Sequence, residues 1–243
     1  MIDIEIACNS LTSCINAFEA GATRVELFEN LADGGCTPSA GLIMASQKLN
    51  IPKYVMIRPR GGHFCYNSME IDMMLHDIEI CKQANIQGIV FGCLTASGNI
   101  DLSTNKMLLE AWGGPATFHR AIDRTQDLFE SAKAITDLGF ERILSSGGQL
   151  VAEDGLENLR KLQKEFGKHI HIMPGSGITS KNAVYILRDT GCTNIHATCK
   201  TISPSNIGTT NPIFANTDIE IFSELTEIRN LIEAIEKWYL TNS

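Results

Sequence analysis

The 243-residue chain has no apolar stretch approaching the ~20 residues that a bilayer-spanning helix requires, and it has no run of basic residues. The first lack argues against a membrane partner. The second argues against a nucleic-acid partner, because phosphate neutralisation needs clustered positive charge. The formal net charge is −8, with acidic and basic residues interspersed. The opening MIDIEIACNS lacks the basic stretch and apolar run of a secretory signal. Eight cysteines are present (Cys8, Cys14, Cys36, Cys65, Cys81, Cys93, Cys192, Cys199), but no two have the C-x-x-C spacing of a zinc or redox motif. A cytoplasmic protein with free thiols is expected. Internal repeats, low-complexity tracts and a Gly-rich fingerprint are also missing. Asn-Ser-Leu-Thr follows the first predicted strand, which disfavours an open doubly wound dinucleotide fold.

What is present is alternation. Strand-like runs fall at 4–8, 24–28, 54–58, 88–91, 116–120, 142–146, 169–173 and 194–198. Helical patterns lie near 11–20, 38–48, 69–84, 102–112, 126–138, 153–166 and 180–190, with a last helix at 218–239. Ser10 or Thr12 and Asp101 read as N-caps, and Gly21, Gly139 and Gly191 as helix ends. Eight strand–helix units without a break in composition predict one domain, 1–243, folded as a TIM-like (β/α)8 barrel of eight parallel strands. The uncharged stretch 201–217, TISPSNIGTTNPIFANT, reads as an irregular loop, either a lid or a connection.

In such a barrel the chemistry collects at the C-terminal ends of the strands. Those ends carry Glu5 and Asn9, Glu26, Glu29 and Asn30, Arg58 and Arg60, and His119, Arg120 and Asp123. They also carry Ser145-Ser146-Gly147-Gly148, Pro174-Gly175-Ser176-Gly177, and His196 and Lys200. Period-2 alternation places Val25, Leu27 and Phe118 against the helices, which turns Glu26 and His119 into the barrel. Glu26, His119, Arg120 and Asp123 are the candidate acid–base residues. For Glu26 the alternative is a structural ion pair with Arg58, and for His119 a hydrogen-bonded core histidine.

Arg58 and Arg60, in VMIRPRGGHFCY, read as a clamp for a small anionic ligand or phosphate. Ser146, Gly147, Gly175 and Gly177 read as amide-rich phosphate loops, or else as tight turns. The run HIHIM offers His169, His171 and Met173 as soft-metal ligands. Cys14 and Cys81 read as buried small hydrophobes, whereas Cys36 and Cys65 fall in loops facing the mouth. Met69, Met73 and Met74 read as a core stripe.

The segments RVELFENLADGGCTPSAGLI, VMIRPRGGHFCY, TFHRAID, GFERILSSGG and IMPGSGIT resemble the CutC family of copper homeostasis proteins, in order from about residue 3 to residue 200. The resemblance implies a cytosolic barrel, a homo-oligomer, and a copper-handling role. It also implies that Glu26, Arg58, Arg60, His119 and Arg120 belong to the family's strand-end motifs. Family members commonly have cysteine where this chain has Ala7 and Phe28, and aspartate where it has His63. Copper, as Cu(I), would therefore fall to Cys8, Cys36 and Cys65. The alternative function is an enzyme performing acid–base chemistry on a small anionic or phosphorylated substrate.

Overall fold

The computed structural model describes residues 2–204 and 219–242. Eight strands, β1 (Asp3–Cys8), β2 (Arg24–Leu27), β3 (Lys53–Met56), β4 (Gly88–Phe91), β5 (Ala116–Phe118), β6 (Arg142–Ser145), β7 (His171–Pro174) and β8 (Asn194–Ala197), form one parallel sheet. Its hydrogen-bonded order is β7-β6-β5-β4-β3-β2-β1-β8, and β7 packs beside β8. This is the expected TIM-like barrel, with a seam between its last two strands.

Around it run α1 (Leu11–Ala20), α2 (Ala40–Ser46), α3 (Ser68–Gln83), α4 (Leu102–Trp112), α5 (Leu128–Leu138), α6 (Leu156–Phe166), α7 (Ala183–Thr190) and α8 (Leu225–Asn242). Short polar side chains start the helices. Ser10 accepts from the Ser13 amide, Asp101 from Thr104, and Asn67 forms a reciprocal capping box with Glu70, each such cap stabilising by about 1 kcal/mol. Gly21, Gly139 and Gly191 end their helices in the left-handed conformation, as the sequence predicts. None of the described helices is long and apolar enough to cross a membrane.

Two expectations change at the C-terminal end. Residues Lys200–Pro204 form β9, which pairs antiparallel with β10 (Ile219–Ser223). The first part of the predicted loop is therefore strand, and the rest of it lies outside the described residues. The last helix starts after β10 rather than at 218, because Ser223 is drawn into the sheet mouth by bonds to Ser13 and the Ala7 carbonyl. The predicted methionine stripe also divides: Met74 is buried, while Met69 and Met73 are exposed.

Strand alternation sorts the core. Ile4, Ile6, Val25, Leu27, Val55, Ile89, Phe91 and Phe118 face outward into the annulus under the helices. Inside, Ala7, Phe28, Tyr54, Met56 and Val90 form a small apolar cluster. The rest of the interior is polar. Glu5 is level with Arg24 on one side and His196 on the other in the β2–β1–β8 register, and Ala7 is level with Glu26.

Candidate functional site

Glu5 is fully buried, so its charge needs partners inside the barrel. Its two register neighbours provide them: Arg24 Nε donates to one carboxylate oxygen at 2.6 Å and His196 Nδ1 meets the other at 2.7 Å. Burial alone would raise the Glu5 pKa, but Arg24 and then His196 outweigh it and hold the carboxyl well below the usual range. An ionised Glu5 fixes the imidazole tautomer: Nδ1 donates, and Nε2 faces the mouth. Below this level Arg24 reaches Asn194 and the Met173 sulfur, and Arg142 joins Asn194, Thr117 and Glu141. The Tyr54 ring packs against both guanidinium groups at 5.6 and 5.1 Å. This floor is a satisfied ionic network.

One layer up, Glu26 lies with Oε2 3.7 Å from His196 Nε2, and its Oε1 is buried without a hydrogen-bond partner among the described residues. The small Ala7 side chain between them in the register leaves that approach open. Burial pushes the Glu26 pKa up to about 7, against the pull of His196. The His196 pKa is raised in turn: burial lowers it, but Glu26 and Glu5 more than compensate. The two titrations are linked, because the charge on each group changes the proton affinity of the other.

These groups open into a cavity of about 520 Å³, lined also by Arg120, Ser176, Gly177, Ile178, Cys199 and Lys200. Ser176 and Gly177 both have positive φ, 81° and 73°. The amides of Ser176, Gly177 and Ile178 donate to no described residue. Consecutive N–H groups without a described partner, beside a cavity, are suited to receive an anion. Lys200, exposed, also has no ion-pair partner among the described residues.

The other flank of the mouth is arranged differently. The Arg58 and Arg60 side chains do not form a clamp. Arg58 is 3% exposed and donates to the carbonyls of Asp33, Gly35 and Gly62. Arg60 pairs with Glu70 at 2.5 Å and reaches the carbonyls of Gly61, His63 and Cys65. Nor is Glu26 paired with Arg58; its ionic neighbour is His196.

His119 packs against Phe64 and Phe118, with ring centroids at 4.7 and 6.0 Å, and its Nδ1 accepts from the Ala121 amide. Burial, with help from Arg58, lowers its pKa to about 3. It faces inward as alternation predicts, yet lines neither major cavity of the mouth.

Asp123 fills the predicted phosphate loop after β6. Its carboxylate accepts from the Ser145 hydroxyl, the Ser146 amide and hydroxyl, the Gly148 amide and Arg120 Nε, at 2.6–3.2 Å. The Gly147 amide turns back to the Ser145 hydroxyl. Gly175 also binds internally, its amide donating to the Ser145 carbonyl. A side chain there would meet Leu144 at 2.5 Å and crowd His196 at 3.4 Å. Of the four predicted phosphate-loop residues, only Gly177 has an amide that donates to no described residue.

The cysteines do not converge. Cys8 is buried on the helix side of β1, donating weakly to the Ile6 carbonyl, because its register parity is opposite to that of Glu5 and Ala7. Cys36 and Cys65 are half-buried in the β2 and β3 loops. Among the described residues no group of three or more His, Cys, Asp or Glu side chains could hold a metal ion. His169 lies in the turn before β7, His171 is exposed at its start, and Met173 is occupied by Arg24. These residues do not fit a preformed Cu(I) site, which needs clustered thiolates.

Among the strand-end residues, sequence reasoning notes Glu5, His196 and Lys200 without selecting them. The missing signal is their adjacency: the Glu5–His196 contact spans 191 residues and exists only once β8 returns beside β1.

Comparison with known proteins agrees with this architecture. The model of the CutC family matches residues 2–201. A CutC-named family protein of Bacteroides fragilis is 45% identical over 195 residues, covering 79% of this chain and 78% of its own. One from Chromobacterium violaceum is 41% identical over 200 residues, covering 81% of each. A solved structure from Streptococcus agalactiae, provisionally named a copper homeostasis protein CutC, superposes with a TM-score of 0.77 at 36% identity, covering 81% of this chain and 98% of that one.

Proposed function

From the premise that this chain belongs to the CutC family, we propose that its barrel mouth is the active site of an enzyme. The reaction is acid–base chemistry on a small anionic, phosphate-bearing molecule. The observation that carries this reading is Glu26: a residue lining the cavity whose carboxyl pKa is pushed up to about 7 and whose Oε1 is buried with no hydrogen-bond partner among the described residues. A group poised near the working pH is what proton transfer requires. Glu26 and His196 then act on either side of one transferred proton, while Glu5 orients the imidazole. The β7-loop amides and Lys200 hold the anion, at the position where barrels commonly bind phosphate.

The test is titration of the intact protein with inorganic phosphate, followed by phosphorus NMR. Binding that Lys200→Ala abolishes is expected. Glu26→Gln should leave binding in place and remove the proton uptake or release that accompanies it near pH 7. Absence of phosphate binding in the parent would overturn the reading.

A second reading, cytosolic copper homeostasis, is favoured by the name of the Streptococcus agalactiae relative and by the eight free cysteines. On this chain it would depend on Cys36 and Cys65, or on movement that brings further thiols to them. Tight Cu(I) binding, competed against a chelator and lost in Cys36→Ala/Cys65→Ala, would establish it.

A further inference from the structure

Beside the acid–base cavity lies a larger one of about 880 Å³, and the two share Gly34 and Arg120. Its lining includes Arg58, His63, Phe64, Arg120, Arg124 and Leu150. We propose that this second cavity binds a second anionic group, so that the substrate carries two separated anions, one on each side of Arg120. This rests on the reading of the first cavity as an anion-binding site.

Three observations carry it. Arg58 is a buried guanidinium with no carboxylate partner among the described residues: carbonyl oxygens, the Phe64 ring 4.7 Å away and the uncharged Tyr66 phenol meet it, and its Nε has no hydrogen-bond partner among them. A buried charge without an opposite charge is costly unless something supplies one. Arg124, exposed on the same wall, has no ion pair among the described residues. The Nη1 group of Arg120 has no hydrogen-bond partner among the described residues, its Nε and Nη2 being held by Asp123, Ser146 and the Gln149 and Leu150 carbonyls.

Of the two lining carboxylates, Asp123 is already paired with Arg120, and neither forms an ion pair with Arg58 or Arg124 among the described residues. Asp123 is enclosed by its own nest, and Asp33 accepts from Asn30 at 2.7 Å. Arg58 also ties the β2 loop to the β3 loop through the Asp33, Gly35 and Gly62 carbonyls, so the wall is held in shape before any ligand arrives. Phe64 and Leu150 add apolar surface that suits a carbon linker between the two anions.

The experiment is calorimetric titration of the intact protein with hexanediol bisphosphate and, as its single-ended control, hexyl phosphate. The bisphosphate should bind about tenfold or more tightly, an extra 1.4 kcal/mol. Arg124→Ala should remove that gain and leave hexyl phosphate binding unchanged. Lys200→Ala should weaken both. Lys106→Ala, outside both cavities, controls for net charge and should change neither.

Equal affinity for the two probes, or a bisphosphate gain that survives Arg124→Ala, overturns the second site while hexyl phosphate binding keeps the first. Bisphosphate binding that depends on Arg124 alone, with hexyl phosphate not bound, supports the second site and removes the anion reading of the first. Binding of neither probe overturns both.

Discussion

The two flanks of the barrel mouth carry similar residue types and treat them in opposite ways. On the β3–β5–β6 flank most polar groups are answered from within: Asp123 occupies the amide nest, carbonyls meet the Arg58 Nη groups, and Glu70 meets Arg60, while Arg58 Nε and His119 Nε2 have no hydrogen-bond partner among the described residues. On the β1–β2–β8 flank the deepest groups are answered, but those nearest the opening are not. Glu26 Oε1 and the β7-loop amides have no hydrogen-bond partner, and Lys200 no ion-pair partner, among the described residues. The lesson is that a motif rich in arginine, serine and glycine marks a place where charge is handled. Whether it handles the protein's own charge or a ligand's depends on which hydrogen-bonding capacity is left over.

The sharpest way to break this comparison is at its base. Glu5→Gln leaves Arg24 buried beside a neutral amide and should destabilise the protein by about 3–5 kcal/mol in urea denaturation. Arg60→Ala, at a partly exposed ion pair, should cost under ~1 kcal/mol. Similar losses at both positions would erase the distinction between the flanks.

Next in size is Asp123→Ala, which empties the β6 nest. The loss of charge-assisted bonds should cost about 2–3 kcal/mol, and added sulfate should restore part of it by occupying the amides. A sulfate-independent loss would mean that the nest collapses rather than awaiting an anion.

A smaller effect is the pH dependence of stability. The Glu26 pKa is raised on folding to about 7, so its contribution is present at low pH and is lost as pH rises through 7. The His119 pKa is lowered to about 3, so its contribution runs the other way: stability increases from pH 3 towards the ordinary histidine range. Urea midpoints across this range should show both limbs, and Glu26→Gln should flatten only the upper one. An unchanged upper limb would place the titration elsewhere, with His196 the first alternative.

The smallest expected stability change is at Lys200→Ala, within ~0.5 kcal/mol, although the same substitution removes phosphate binding. A large loss of stability there would make Lys200 part of the scaffold.

Much of this was legible in the residues. Alternation in RVELF and ATFH placed Glu26 and His119 inside, and both are inside. Eight strand–helix units predicted the barrel, and the glycine caps fell where expected. The pairings were less legible. Sequence alternation leaves Arg58 open as a partner for Glu26, but the register puts Glu26 beside Ala7 and within reach of His196. The SSGG pattern predicts a ligand loop, but Asp123, in the turn after β5, reaches it first. The family resemblance points to Cys8 as a metal ligand, although its parity opposes that of Glu5.

By itself the sequence determined the elements, their caps and the facing of each strand residue, because these follow from neighbours within a few positions. Only the tertiary structure decided which polar groups satisfy one another and which remain open. Those partners lie on strands brought together by closure of the sheet, as β1 and β8 are around Glu5 and His196. No local pattern encodes which of several inward-facing charges will meet.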